Sequence, residues 1–310
     1  MELHGIHHIT AITGDAPANV EFYVGVLGLR MVKKTVNQDD PSVYHLFYAD
    51  EAGSPGSDLT FFEYPGVGRG LPGAGMVHRI VWRVGSEDAL GFWDERLRDA
   101  GLDPARIDAS LRFADPEGLE HELIVYHGPD APLVADAPDV PAEHALQGFD
   151  GVRAYSREPG RSAGLLRDVL GFGEGEGGMW EVRGERRGGF YAYDAAPSNQ
   201  PMQGAGSVHH VAFASLPDEH ADWRERVAGS RLARPTPVID RFYFKSIYFR
   251  EPSGVLFEIA TIGPGFGADE DPAHLGERLS LPPRFERLRE QVERTLTPLP
   301  DPRARRATTG

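Results

Sequence analysis

The chain has 310 residues, 40% of them apolar and 25% charged, which is ordinary composition for a soluble globular protein long enough for two domains. Its 32 Lys and Arg stand against 47 Asp and Glu, a net charge of −15, so a nucleic-acid partner is not expected. With no cysteine, disulfides, thiolate nucleophiles and Cys-ligated zinc are excluded, and His, Asp and Glu are left as metal ligands.

In chain order, the N-terminus "MELHGIHHIT" lacks a basic region followed by an apolar stretch, and no run of eighteen apolar residues occurs. The expectation is a cytoplasmic protein with no membrane association. Four segments then open alike: "GIHHITAIT" at Gly5, "MVHRIVWRV" at Met76, "GFDGVRAYS" at Gly148 and "SVHHVAFAS" at Ser207. Each alternates apolar with small or polar residues, the pattern of a strand. Helical stretches follow at 16–27, 87–100, 161–170 and 218–227; the first and third end in "VLGLR" and "VLGFG", with Gly28 and Gly171 placed as C-caps. The second and fourth units close on matching hairpins, "DPEGLEHELI" and "EPSGVLFEIA".

The spacing predicts four repeated strand–helix–strands modules, near 5–66, 76–128, 147–196 and 207–262. A Pro- and Asp-rich stretch, "GPDAPLVADAPDVPAEHA", separates the second from the third. The predicted organisation is an N-terminal domain over 1–130, a linker over 131–146 and a C-terminal domain over 147–270. A C-terminal helix and flexible tail follow over 271–310, including the basic run Arg303–Arg306, read as a solvated end.

Twelve histidines are present, and four of them fall in two matching doublets, His7–His8 and His209–His210. Alternation along a strand puts Ile9 and Ala11 with His7, and Val211 and Phe213 with His209, facing the helices. His8 and His210 then face the other way. In "GVLFEIA", Val255, Phe257 and Ile259 share the helix side and Glu258 faces away. Two neutral imidazoles and one carboxylate with open positions form the ligand set of non-haem Fe(II) oxygenases; zinc or manganese would accept the same groups. A lone strand histidine is more often a satisfied half-buried residue, and it is the matched doublets that favour ligands.

With these motifs, and with "YHLFYADEAGSPG", the Asp240–Tyr248 segment and "GVLFEIA…GFGADED", the chain resembles the vicinal oxygen chelate superfamily, which spans glyoxalases, bleomycin-resistance proteins and extradiol dioxygenases. Within it, the likeness is to hydroquinone-type ring-cleaving dioxygenases, over most of residues 5–270. The resemblance implies an α+β fold of four βαβββ modules paired into two cup-shaped half-barrel sheets. It also implies Fe(II) held by His8, His210 and Glu258. An aromatic diol, hydroquinone or catechol, would be cleaved with both atoms of O2 entering the product. His7, Thr10, His209, Arg241 and Tyr248 are implied to support the ligands or contact substrate, Arg241 holding a phenolate and Tyr248 moving a proton. By alternation His7 and His209 lie on the far face, so a packing or ligand-supporting role for them stands on equal terms with substrate contact. Asp240 is the alternative partner for Arg241, and Tyr44, His45 and Phe61 are candidates for the pocket lining, with packing the favoured reading for each. Modules of this kind commonly associate as homo-oligomers.

Because the ligands come from the first and fourth modules, those two should share a cup. In the other, the corresponding positions are Arg79, Gly151 and Glu122, an ion pair and no metal site. Two rival readings exist. A glyoxalase-like isomerase or thiol transferase would draw a fourth ligand from "DLTFFEYP", near Thr60, Phe62 or Glu63; a non-catalytic binding or resistance protein would normally lack the triad.

Overall fold

The computed structural model describes residues 1–300; the basic run Arg303–Arg306 and the rest of the predicted flexible tail beyond residue 300 lie outside the described residues. The first module runs β1 (Ile6–Thr13), α1 (Ala16–Val20), β2 (Arg30–Val36), β3 (Tyr44–Ala49) and β4 (Asp58–Glu63). The second is β5 (Val77–Val84), α2 (Glu87–Asp99), β6 (Ala105–Ile107), β7 (Ser110–Ala114) and β8 (Glu120–Val125). In the third, β9 (Phe149–Ser156) leads through short helical turns to β10 (Gly173–Glu174), β11 (Met179–Arg183) and β12 (Gly188–Ala195). The fourth comprises β13 (Val208–Ser215), α3 (His220–Ser230), β14 (Ile239–Asp240), β15 (Lys245–Arg250) and β16 (Leu256–Thr261). A last helix, α4 (Arg289–Thr295), follows.

Among the described residues the strands form two eight-stranded sheets. One has the order β14-β15-β16-β13-β1-β4-β3-β2 and joins the fourth module to the first. The other, β10-β11-β12-β9-β5-β8-β7-β6, joins the third to the second. Each sheet therefore draws on both halves of the chain, and the one–four pairing expected from the ligand positions is present.

Local chemistry explains the helix starts. Asp15 accepts from the Ala18 amide and Ser86 from the Ala89 amide, each satisfying a first-turn donor. Two helices differ from the expected regular form. After Val20 the chain widens into a π-turn over Glu21–Val26, and the third module does the same over Leu165–Val169. In both, the last bond spans five residues, Leu27 N to Phe22 O at 3.0 Å and Leu170 N to Leu165 O at 2.9 Å. Gly28 and Gly171 follow with φ of +69° and +76°, the left-handed conformation that suits glycine.

The helix-facing strand residues, among them Ile9, Val211, Phe213, Phe257 and Ile259, enter one large core with Trp82, Trp93 and Trp223. A smaller cluster fills the concave side of the first sheet. There Phe47, Ala212 and Ala260 meet Phe244, Phe266 and Leu275, the last two from the segment after β16. Lys33 is fully buried beneath that segment and bonds Asp269 Oδ1 at 2.7 Å and Glu270. A buried ammonium needs such partners, so the C-terminal strap is pinned to the cup. No helix among the described residues is long and apolar enough to cross a membrane.

Candidate metal centre and its pocket

β1 and β13 run antiparallel at the seam between modules, and their register slips twice. Ile6 pairs with Phe213 but His8 with Ala212, leaving His7 as an extra residue; Thr10 pairs with His210 but Ala11 with Val208, leaving His209 extra. A bulge of this kind re-aims side chains and cancels strict alternation. The first histidine of each doublet is thus not sent to the far face, as alternation predicts. Instead His7 Nδ1 lies 3.0 Å from His8 Nδ1, and His209 Nδ1 lies 2.8 Å from His210 Nδ1. Arg79 and Gly151 follow the same kind of slip in the other sheet, beside His78 and Asp150.

The consequence is a fixed tautomer. His7 Nε2 sits 3.2 Å from the Thr261 carbonyl, which can only accept, so this nitrogen carries the proton. Its Nδ1 must then accept from His8 Nδ1–H, and His8 Nε2 is left as a bare lone pair. Burial, with the neighbouring His8 adding to it, lowers the His7 pKa to about 3 and keeps the ring neutral. For His209, burial and then His210 lower it to about 4.

His8 Nε2 and His210 Nε2 face each other at 3.2 Å, and Glu258 Oε2 lies 3.2 Å from the first and 2.9 Å from the second. All three side chains are buried, and the three form a cluster with metal-ligand spacing. Neither Glu258 oxygen has an aligned hydrogen bond. A bare imidazole nitrogen aimed at a dry carboxylate is costly without a cation and well satisfied by one. The donor set fits a divalent metal.

The remaining walls come from three directions. Tyr248 stands directly across from Glu258 on β15, so it faces the cup as its strand position predicts. Arg241 Nε donates to the Tyr248 hydroxyl at 3.3 Å, while its two terminal nitrogens grip Asp39 at 3.1 and 3.0 Å. Asp240 is not its partner; that carboxylate takes the Phe242 amide. From β1, Thr10 Oγ1 lies 2.8 Å from Thr60 Oγ1. Tyr248, Arg241, Asp39 and Thr10, with His45, Phe62 and Phe244, line a pocket of about 430 Å³ of atom-free space that is partly open to solvent. Tyr44 and Phe61 belong to the core as favoured, and His45 takes the other reading, on the pocket wall. Asn37, Gln38 and Asp39 also reach the pocket from the turn after β2; nothing in their spacing marks them beforehand.

Register also identifies the position where a fourth ligand would stand. Glu258 pairs with Ala212, two residues beyond His210; Thr60 pairs with Thr10, two residues beyond His8. Thr60 therefore holds the Glu258-equivalent place, and its hydroxyl is engaged by Thr10 and His45. Glu63 pairs with Thr13 further along β4 and is outside the ligand cluster. In the second cup, Arg79 bonds Glu120 at 2.8 Å and reaches Glu122 at 3.4 Å, and Arg112 meets Glu122 at 3.1 Å. A Cβ on Gly151 would come within 2.5 Å of the Phe190 ring, so that ring fills the histidine position.

The family model of the Glyoxalase/Bleomycin resistance protein/Dioxygenase superfamily matches residues 5–123. A protein of Bacillus subtilis named "Putative ring-cleaving dioxygenase MhqO" is 39% identical over 303 residues, 95% of this chain and 96% of that one. The chain belongs to this superfamily. Another superfamily relative, the chlorohydroquinone/hydroquinone 1,2-dioxygenase of Sphingobium indicum, is 32% identical over 95% of this chain and 96% of its own. A crystal structure described as a "putative dioxygenase" from Bacillus subtilis superposes with a TM-score of 0.90 at 37% identity, covering 96% of this chain and 98% of that one. Glyoxalase I of Zea mays shares the superfamily fold, with a TM-score of 0.58 at 15% identity over 87% of this chain and 95% of that one. This superfamily member thus carries a candidate metal centre in one cup and a salt-bridged, ring-filled second cup.

Proposed function

We propose that the chain is an Fe(II)-dependent ring-cleaving dioxygenase that opens a hydroquinone or catechol with both atoms of O2. The observation that carries this reading is the three-member set His8, His210 and Glu258 with a threonine at the fourth position. Three protein ligands would leave a bound metal open positions for a diol oxygen and for O2. A bound divalent iron would supply an electron path between ring and dioxygen and make the coordinated hydroxyl more acidic.

The chain's own residues do the rest. His7 and His209 hold the ligand rings through their Nδ1 atoms. Phe62 and Phe244 give the ring apolar walls, and Phe244 packs 5.0 Å from the His8 ring centroid. Arg241 directs a donor at the Tyr248 oxygen, leaving the phenolic proton free to be given to a ring oxygen. Burial, then Glu258, raises the Tyr248 pKa above its usual range, so it acts as a donor at neutral pH.

The test is anaerobic reconstitution with Fe(II), followed by oxygen-electrode assays on hydroquinone and catechol. One O2 consumed per diol is expected. Isomerisation of a hemithioacetal with Zn(II) or Ni(II), without oxygen, would replace this reading with a glyoxalase-like one.

A further inference from the structure

His45 is a pocket group with both a fixed anchor and a spare polar atom. It lies on β3 two residues from Phe47, which pairs with Thr60. Its Nε2 is 2.9 Å from Thr60 Oγ1, and Thr60 Oγ1 is 2.8 Å from Thr10 Oγ1. The ring is wedged against Phe47 and Phe62, with centroids 4.0 and 4.4 Å away. Among the described residues no hydrogen-bond partner meets its Nδ1, and the residue lines the pocket that His8 and His210 also line.

The hydroxyl chain has two proton orders. If His45 Nε2–H donates to Thr60, then Thr60 donates to Thr10, and Nδ1 is an acceptor. If Thr10 donates to Thr60 and Thr60 to Nε2, then Nδ1 carries the hydrogen and donates. Neither order places a charge in the pocket. A group that can donate or accept without charge suits a hydroxyl, itself both donor and acceptor. It suits a carboxylate poorly, and the nearby cation, Arg241, is already paired with Asp39.

We infer that His45 is a substrate-contacting, specificity-determining residue that recognises a second, metal-remote hydroxyl on the ring through Nδ1, with Thr60 as its positioning residue. The inference rests on the proposed diol chemistry and names its class: uncharged rings carrying a distant hydroxyl, as in a para-diol, over ring carboxylates. Burial, with His8, His210 and Arg241 nearby, lowers the His45 pKa well below its usual value, consistent with an uncharged partner.

The experiment measures anaerobic binding of hydroquinone and of phenol to the Fe(II)-loaded full chain by calorimetry, with oxygen uptake recorded separately. The wild type should bind hydroquinone roughly 3- to 10-fold more tightly than phenol, the size of one neutral hydrogen bond. His45→Phe should bring that ratio close to one while leaving phenol affinity and metal content unchanged, and His45→Asn should restore part of it. Should His45→Phe fail to fold, Thr60→Val decides, because it removes the ring's anchor; a clear drop in the ratio is expected. An unchanged ratio in a folded His45→Phe, or in Thr60→Val where that variant decides, overturns the inference even when the enzyme consumes oxygen. A ratio that collapses in an enzyme inactive toward every diol sustains the inference and removes the dioxygenase reading alone.

Discussion

His7 Nδ1 stands 3.0 Å from His8 Nδ1, although the two are neighbours on one strand and alternation should point them apart. The bulge at His7 brings them together, and the Thr261 carbonyl then dictates which nitrogen of each ring is bare. His7→Phe keeps the ring's bulk and removes the acceptor for His8 Nδ1–H. Metal affinity should fall about 10- to 100-fold, the usual effect of losing such a partner. A competition titration with a chromophoric chelator measures this; an unchanged affinity would show that His8 needs no such lock.

Glu258 offers a test with opposite signs in the two states. Its buried oxygens lack aligned hydrogen bonds, so without metal the carboxylate is a destabilising charge. Glu258→Gln should raise the melting temperature of the metal-free protein and abolish the added stability that Fe(II) gives the wild type. His8→Ala and His210→Ala should lose metal with the fold retained. A Glu258→Gln protein still binding one metal per chain would remove Glu258 from the ligand set.

The second cup should be inert toward metal. Arg79→Ala and Glu122→Ala should both leave one metal per chain, measured by elemental analysis. Each variant should lose no more than about 1 kcal/mol in chemical denaturation. Glu122→Ala leaves Arg79 with Glu120, Arg79→Ala leaves Glu122 with Arg112, and partly exposed pairs contribute little.

Tyr248→Phe should retain metal and lower turnover by roughly 10²–10⁴-fold, as for a lost proton donor. Arg241→Met should act in the same direction, because it removes the donor that orients the phenol. Wild-type turnover in Tyr248→Phe, at saturating diol, would place the proton transfer elsewhere.

His121 gives the fold its own pH signature, away from the metal centre. Trp82 Nε1–H donates to its Nδ1 at 3.0 Å, and burial lowers its pKa to about 3. Between pH 6.5 and 3 the unfolded chain binds the extra proton, so the stability from this group is present above 6.5 and lost as pH falls. Asp115 works the other way: burial raises it to about 6, so its contribution weakens as pH rises from 4 to 6. In His121→Phe only the second slope remains. The stability difference should therefore move in the variant's favour by about 1.4 kcal/mol per pH unit between pH 6 and 4. Urea titrations across that range check it, and parallel curves would contradict it.

The four-module plan was legible in the sequence because each module repeats its own strand start, helix end and hairpin, as in "VLGLR" with "VLGFG". These are local signals, carried by residues close together in the chain. His8, His210 and Glu258 were legible too, since side-chain alternation sorts a strand's faces wherever its register is regular. Tyr248 followed from the same rule, and the register shows it across from Glu258.

Register slips and long-range partners were not legible. Whether a strand carries a bulge is decided by its neighbour, and β13 lies some two hundred residues from β1 in the chain. That is why alternation placed His7 and His209 on the wrong face. Asp39 claims Arg241 in place of the adjacent Asp240, and His45 lines the pocket where packing was the favoured reading, for the same reason. Sequence alone determined which residue types could bind a metal and which strands would present them. Only the tertiary structure decided which nitrogen is bare and that Thr60 stands in the fourth ligand's place, because hydrogen-bond partners and strand register are set by chain segments that meet only on folding.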